Sequence, residues 1–64
     1  MKTIIIIPTY NEVDNIDKLI KKIFDLNIFD LEILIIDDNS PDGTAQIVKN
    51  IQTTNNKLLL LQRP

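Results

Sequence analysis

At 64 residues the chain forms at most one small domain, and a chain of that size buries only about 60% of its unfolded surface, so length alone argues against a complete enzyme. Hydrophobic residues make up 44% and charged residues 25%, an ordinary soluble composition, and a formal net charge of −2 excludes a dominant phosphate-backbone footprint, so nucleic acid is not an expected partner. The absence of cysteine and histidine rules out disulfides, thiolate metal sites, imidazole bases and Ser-His triads within these residues, leaving carboxylates to carry any chemistry.

The chain opens Met-Lys-Thr and then four isoleucines, Ile4 to Ile7, closed by Pro8. Four apolar residues are too few for a signal-peptide core of about 7–15 or a membrane span of about 20. A cytoplasmic chain is therefore the expectation. The isoleucines read as a strand that ends at Pro8, because proline cannot donate to a ladder. From Glu12 to Leu26 the residues Val13, Ile16, Leu19, Ile20, Ile23 and Phe24 recur at helical spacing, with lysines and aspartates between them, which predicts an amphipathic helix. Asn11 or Asp14 is placed to cap it.

After a short connection at Asn27 to Asp30, Leu31 to Ile36 reads as a second strand and Asp37 to Gly43 as a loop, whose Ser-Pro-Asp-Gly is strong turn chemistry. Thr44 to Gln52 carries Ala45, Ile47, Val48 and Ile51 on one helical stripe, Thr53 to Asn56 is a polar turn, and Lys57 to Leu61 is a third strand. The order β-α-β-α-β implies an α/β protein with a parallel three-stranded sheet and right-handed crossovers. If the strands lie in the order 3-2-1, both helices fall on one face. Yet "IIII", "ILII" and "LLLL" are apolar on both sides of the pleat, the pattern of strands covered on both faces. One covering layer is therefore expected to be missing, which predicts the first half of a larger fold or, alternatively, a module that associates with itself through the uncovered face.

Ligands of open α/β sheets bind beyond the carboxyl ends of the strands. Both polar clusters, "PTYNE" at Pro8 to Glu12 and "DDNSPDG" at Asp37 to Gly43, fall there and are expected to converge on one crevice. Neither GxGxxG nor GxxxxGK[ST] occurs, so a phosphate cradle is not expected. A carboxylate and a tyrosine ring suit a nucleoside better, the one accepting from base N–H or ribose hydroxyl groups and the other packing on the base. Asp37 and Asp38 would be an odd pair to leave at a strand exit without a ligand, since repulsion and desolvation oppose it. As neighbours at a strand end they point to opposite sides, so joint metal ligation is not the favoured role. Each other residue has a plain structural reading beside this one: Pro8 as a strand stop, Tyr10 as packing, Glu12 as a first-turn charge, Asp42 as an N-cap or turn former, Asn39 and Ser40 as loop polarity.

Taken together, "IIIIPTYNEVDNIDKLIKKI", "LEILIIDDNSPDGTAQIV" and "LLLLQRP" resemble the start of inverting family 2 glycosyltransferases, above all the dolichyl-phosphate mannosyltransferase and polyprenyl-phosphate glycosyltransferase group. The resemblance covers essentially the whole chain. It implies that residues 1–64 are the N-terminal nucleotide-sugar-binding part of such a domain, the nucleotide-binding half of a GT-A (Rossmann-like) fold. It also implies a nucleotide-diphosphate sugar donor, GDP-mannose in the nearest group, a lipid-phosphate acceptor and a position at the cytoplasmic face of a membrane for the complete protein. Residue by residue it puts Pro8, Tyr10 and Glu12 around the nucleoside, Ile36 in the base pocket and Asp38 on the base, with Asp37, Asn39, Ser40, Asp42 and Gly43 supporting the loop. A divalent cation, Mg2+ or Mn2+, is implied for the complete enzyme, with ligands outside this chain, because the family's Asp-x-Asp does not occur here. Two other classes compete: a noncatalytic nucleotide-binding module and a receiver-like phosphoacceptor. The latter fits poorly, since its acidic pair should follow the first strand and its acceptor aspartate the third.

Overall fold

A computed structural model describes residues 2–64. Its elements are β1 (Thr3–Thr9), α1 (Ile16–Phe24), β2 (Leu31–Asp37), α2 (Thr44–Gln52) and β3 (Leu58–Gln62). The three strands form one parallel sheet in the order β1-β2-β3. Both crossovers step the same way along the sheet, so right-handedness puts both helices on one face.

Register and burial show what that face contains. Ile5 pairs with Ile33 and Ile33 with Leu58; Ile7 pairs with Ile35 and Ile35 with Leu60. These side chains meet Ile16 and Ile20 of α1 and Val48 of α2, with Ile23, Phe24, Ile47 and Ile51 packed around them. The spacing Ile16, Ile20, Ile23 keeps one stripe of α1 on the sheet, as a 3.6-residue period requires. The alternate residues, Ile4, Ile6, Leu34, Ile36, Leu59 and Leu61, point to the other side, which no element among the described residues covers. Ile6 is 58% exposed and Leu61 52%. The expected missing layer is thus a feature of the structure.

Several boundaries differ from the sequence expectation, each for a physical reason. β1 does not stop at Pro8 but runs to Thr9. Thr3 donates its N–H to the Asp30 carbonyl and the Thr9 carbonyl accepts from Asp38, so the odd-numbered residues of β1 turn their backbone groups to β2. Pro8, even-numbered, aims its missing N–H at the open edge, where a proline costs no ladder bond. β2 reaches Asp37 rather than ending at Ile36. β3 is displaced by one residue from Lys57–Leu61, because Lys57 stays in the preceding turn with its N–H on Asn55 Oδ1.

The first helix starts at Ile16, four residues later than expected, after a turn over residues 13–15. Neither Asn11 nor Asp14 caps it, and Asn15, at the N-cap, makes no side-chain cap bond. At its other end the chain leaves the helix through Asn27 at φ 54°, a left-handed conformation that asparagine tolerates better than most residues. α2 spans the expected Thr44–Gln52.

Candidate functional site

The carboxyl ends of β1 and β2 lie side by side, Thr9 opposite Asp37. Strand alternation carries both side chains to the helix-covered face, in line with Ile7 and Ile35. A carboxylate at that place is wholly buried: Asp37 is 0% exposed. It persists because every approach is a donor. Thr9 Oγ1 donates to Asp37 Oδ1 at 2.8 Å and Ser40 Oγ to the same oxygen at 2.6 Å, while the Ser40 N–H donates to Oδ2 at 2.9 Å. Burial alone pushes the carboxyl up, and the repulsion of Asp42 adds to it, yet the Ser40 hydroxyl and N–H and the Thr9 hydroxyl outweigh both and hold Asp37 below the ordinary carboxylate range.

Asp38, one residue on, is exposed. Its N–H extends the ladder to the Thr9 carbonyl, and no described residue donates to its carboxylate. The adjacent acids are therefore separated in function: one is consumed by the protein and one faces solvent. Ile36 and Pro8 pair across the strands on that same uncovered face, leading up to Asp38. Tyr10, 56% exposed, follows Thr9 at the strand exit.

The two loops then interlock. Asn11 donates its N–H to Ser40 Oγ at 3.0 Å, Glu12 to Thr44 Oγ1 at 2.9 Å, and Val13 to Asp42 Oδ2 at 3.1 Å. Thr44 Oγ1 in turn donates to Asp42 Oδ1 at 2.5 Å, and the Thr44 N–H reaches that oxygen at 3.0 Å. The Thr44 hydroxyl and the Val13 and Thr44 N–H groups lower the Asp42 carboxyl from its ordinary value against a smaller opposing effect of burial. Asp42 thus accepts from the first residue of α2 and from the turn before α1 at once, although the N-cap position of α2 itself, Gly43, makes no side-chain cap bond. Gly43, at φ 93°, supplies the left-handed residue from which α2 starts, and Asn39, at φ 57°, turns the chain out of β2 as Asn11, at φ 55°, turns it out of β1.

The structure therefore brings Asn11 to Val13 against Ser40, Asp42 and Thr44, and pairs Pro8 with Ile36 on the uncovered face of the sheet, with Asp38 exposed just beyond the end of β2. Glu12 is held through its N–H on Thr44 Oγ1. With Pro8 it lines a cleft of about 170 Å³ at the open edge of β1, closed by Ile7, Thr9, Asn15, Ile16 and Leu19, which Tyr10, Ile36 and Asp38 do not reach. Thr9 and Thr44 were missed by sequence reasoning. A signal existed: with period two, Thr9 and Asp37 follow Ile7 and Ile35 on the buried face, and a polar pair there must satisfy itself.

These carboxylates do not fit a divalent cation. Both oxygens of Asp37 and both of Asp42 already accept protein donors, Asp38 stands alone, and no group of three metal-ligating side chains occurs among the described residues.

The fold and its loops define an open parallel α/β protein whose ligand end lies at the carboxyl termini of the strands. The family model for glycosyl transferase family 2 matches residues 4–64, and the chain belongs to that family. It is 39% identical over 57 residues to a GalNAc(5)-diNAcBac-PP-undecaprenol beta-1,3-glucosyltransferase of Campylobacter jejuni, covering 89% of this chain and 18% of that protein. It is 45% identical over 62 residues to an uncharacterized glycosyltransferase of Mycoplasma genitalium, covering 94% of this chain and 21% of the relative. A dolichol-phosphate mannosyltransferase of Pyrococcus furiosus is 47% identical over 54 residues, 83% of this chain and 15% of the relative. Among solved structures, the mannosyltransferase PcManGT from Pyrobaculum calidifontis in complex with GDP-Man and Mn2+ superposes with a TM-score of 0.77 at 31% identity, over 97% of this chain and 19% of its own. The chain thus spans about a fifth of the length of the relatives it matches, and its fold is the N-terminal part of a GT-A, Rossmann-like glycosyltransferase.

Proposed function

We propose that this chain is the nucleoside-binding portion of a hexosyltransferase that moves mannose from GDP-mannose to a polyprenyl-phosphate acceptor such as dolichyl phosphate. The observation that carries the reading is the separation of Asp37 from Asp38. The first is spent on holding the loops, which leaves the second exposed at the end of the central strand, free to accept from a base N–H. Pro8 and Ile36 give that position an apolar floor, and Tyr10 an aromatic wall; Glu12 approaches from the cleft side. The mannose donor is supported by the GDP-Man in the Pyrobaculum structure and the name of the Pyrococcus relative. The acceptor class is supported by the dolichol phosphate in the Pyrococcus relative's name, whereas the Campylobacter relative's name describes glucosyl transfer to a saccharide carried on undecaprenyl diphosphate.

Sugar departure from a diphosphate needs that charge neutralised, the work of a divalent cation. Its ligands belong to a segment outside these residues, and the purified chain with GDP-mannose and Mn2+ or Mg2+ is accordingly expected to show no turnover. On this reading the complete protein would work in the cytoplasm, at the membrane face that presents a polyprenyl acceptor.

A titration of the 15N-labelled chain with GDP tests the reading. Amide shifts at Tyr10, Ile36 and Asp38 are expected, with weak affinity, and Asp38→Asn should reduce that affinity by about 1–3 kcal/mol, the scale of a charged hydrogen bond. No response to GDP, or equal affinity in the variant, removes Asp38 from the site.

A further inference from the structure

Asn11, Glu12 and Val13 are consecutive, and all three give their N–H to side chains of the loop after β2 or of Thr44, the first residue of α2. Two of the bonds run through hydroxyls that pass the interaction on. The Asn11 N–H meets Ser40 Oγ, whose own proton goes to Asp37; the Glu12 N–H meets Thr44 Oγ1, whose proton goes to Asp42. A hydroxyl suits this because it accepts and donates at once. The Val13 N–H meets Asp42 directly.

Each N–H belongs to one planar peptide unit. Holding three in a row orients the planes between residues 10 and 11, 11 and 12, and 12 and 13, and with them the Cα–Cβ directions of Tyr10, Asn11 and Glu12. Those bonds hold the segment ahead of α1, whose own N-cap residue Asn15 makes no side-chain bond, and their acceptors lie on the loop that Asp38 opens and on Thr44 at its far end. We propose that Ser40, Thr44 and Asp42 are positioning residues for the donor nucleoside: through two hydroxyl relays and one direct carboxylate bond they fix the first loop, and so Tyr10 and Glu12, relative to Asp38. The inference rests on the nucleoside-binding reading above and assigns to these three side chains no contact with the ligand.

The test compares the parent chain with Thr44→Val, which keeps the shape of the side chain and removes both halves of the relay, and Thr44→Ser, which restores the hydroxyl. GDP alone is the probe, followed by amide shifts, with hydrogen exchange at Ile33 and Ile35 reporting whether the sheet stays folded. Thr44→Val is expected to keep that protection, to shift the ligand-free amides of Asn11 to Val13, and to raise the GDP midpoint at least about fivefold, the scale of one lost hydrogen bond. Thr44→Ser should bind as the parent does. If Thr44→Val is folded and binds GDP like the parent, the positioning role is overturned while the nucleoside reading stands. If the parent itself does not respond to GDP, both fall. Should Thr44→Val lose its sheet protection, Ser40→Ala makes the same comparison through the other relay, with the same outcomes decisive.

Discussion

Asp37 shows how a buried carboxylate can hold a fold together instead of straining it. Desolvation opposes its charge, and three donors on two oxygens more than compensate. An amide in its place offers one acceptor oxygen and turns an NH2 toward the Thr9 and Ser40 donors. Asp37→Asn is accordingly expected to destabilise the chain by about 2–3 kcal/mol in urea unfolding, the range for disrupting charge-assisted bonds at a buried group. The same carboxyl sets an acid limb. Because folding depresses its pKa, its contribution is fully present above the unfolded value near 3.8 and is lost as pH falls below that value through the folded one. Stability should therefore hold from neutrality to the ordinary aspartate range and decline below it, and Asp37→Asn should flatten part of that decline. An unchanged acid limb in the variant would show that Asp37 is not depressed.

The two helices enter the fold by different means. α1 starts at Ile16 with no side-chain cap bond from Asn15, and the segment ahead of it is held by Ser40, Asp42 and Thr44 from across the sheet. α2 begins at Gly43, whose φ of 93° an L side chain reaches at a cost of about 1–2 kcal/mol. An added Cβ there meets no atom within 4 Å, so the penalty is conformational and not steric. Gly43→Ala is expected to lower stability by about 1 kcal/mol or more, with Gly43→Asn costing less because asparagine tolerates the left-handed region. Equal losses for the two, measured by urea unfolding, would point to a cause other than backbone conformation.

On the scale of the molecule, the sheet is dressed on one side and bare on the other. Ile4, Ile6, Leu34, Ile36, Leu59 and Leu61 form a contiguous apolar surface of the kind that monomers seldom leave open. Phe29, 80% exposed in the connection between α1 and β2, adds a further apolar group elsewhere. The isolated chain is expected to bind a hydrophobic dye and to associate as its concentration rises, and Ile6→Lys with Leu61→Lys should suppress both. Sedimentation of a strict monomer at all concentrations, for the parent as for the double variant, would show the bare face to be inert.

Most of the architecture was legible because it depends on local pattern. Four-residue runs of β-branched and leucine side chains mark strands, the three-and-four spacing of Ile16, Ile20 and Ile23 marks a helix, and the alternation of the two sets the sheet parallel. The bare face was legible too, since runs apolar on both sides of the pleat imply two layers and the chain supplies one. Family membership was readable from "PTYNE" and "DDNSPDGT" in order. What the sequence could not determine was how those two motifs divide their labour, because hydrogen-bond partners 28 to 32 residues apart are chosen by strand register and by nothing in the local pattern. Only the tertiary structure put Thr9 against Asp37, placed Pro8 on a free edge where β1 could continue past it, and bound the segment ahead of α1, Asn11 to Val13, to Ser40, Asp42 and Thr44. The physical reason is that a buried polar group must find its partner in space, and spatial neighbours across a parallel crossover are set by the fold as a whole.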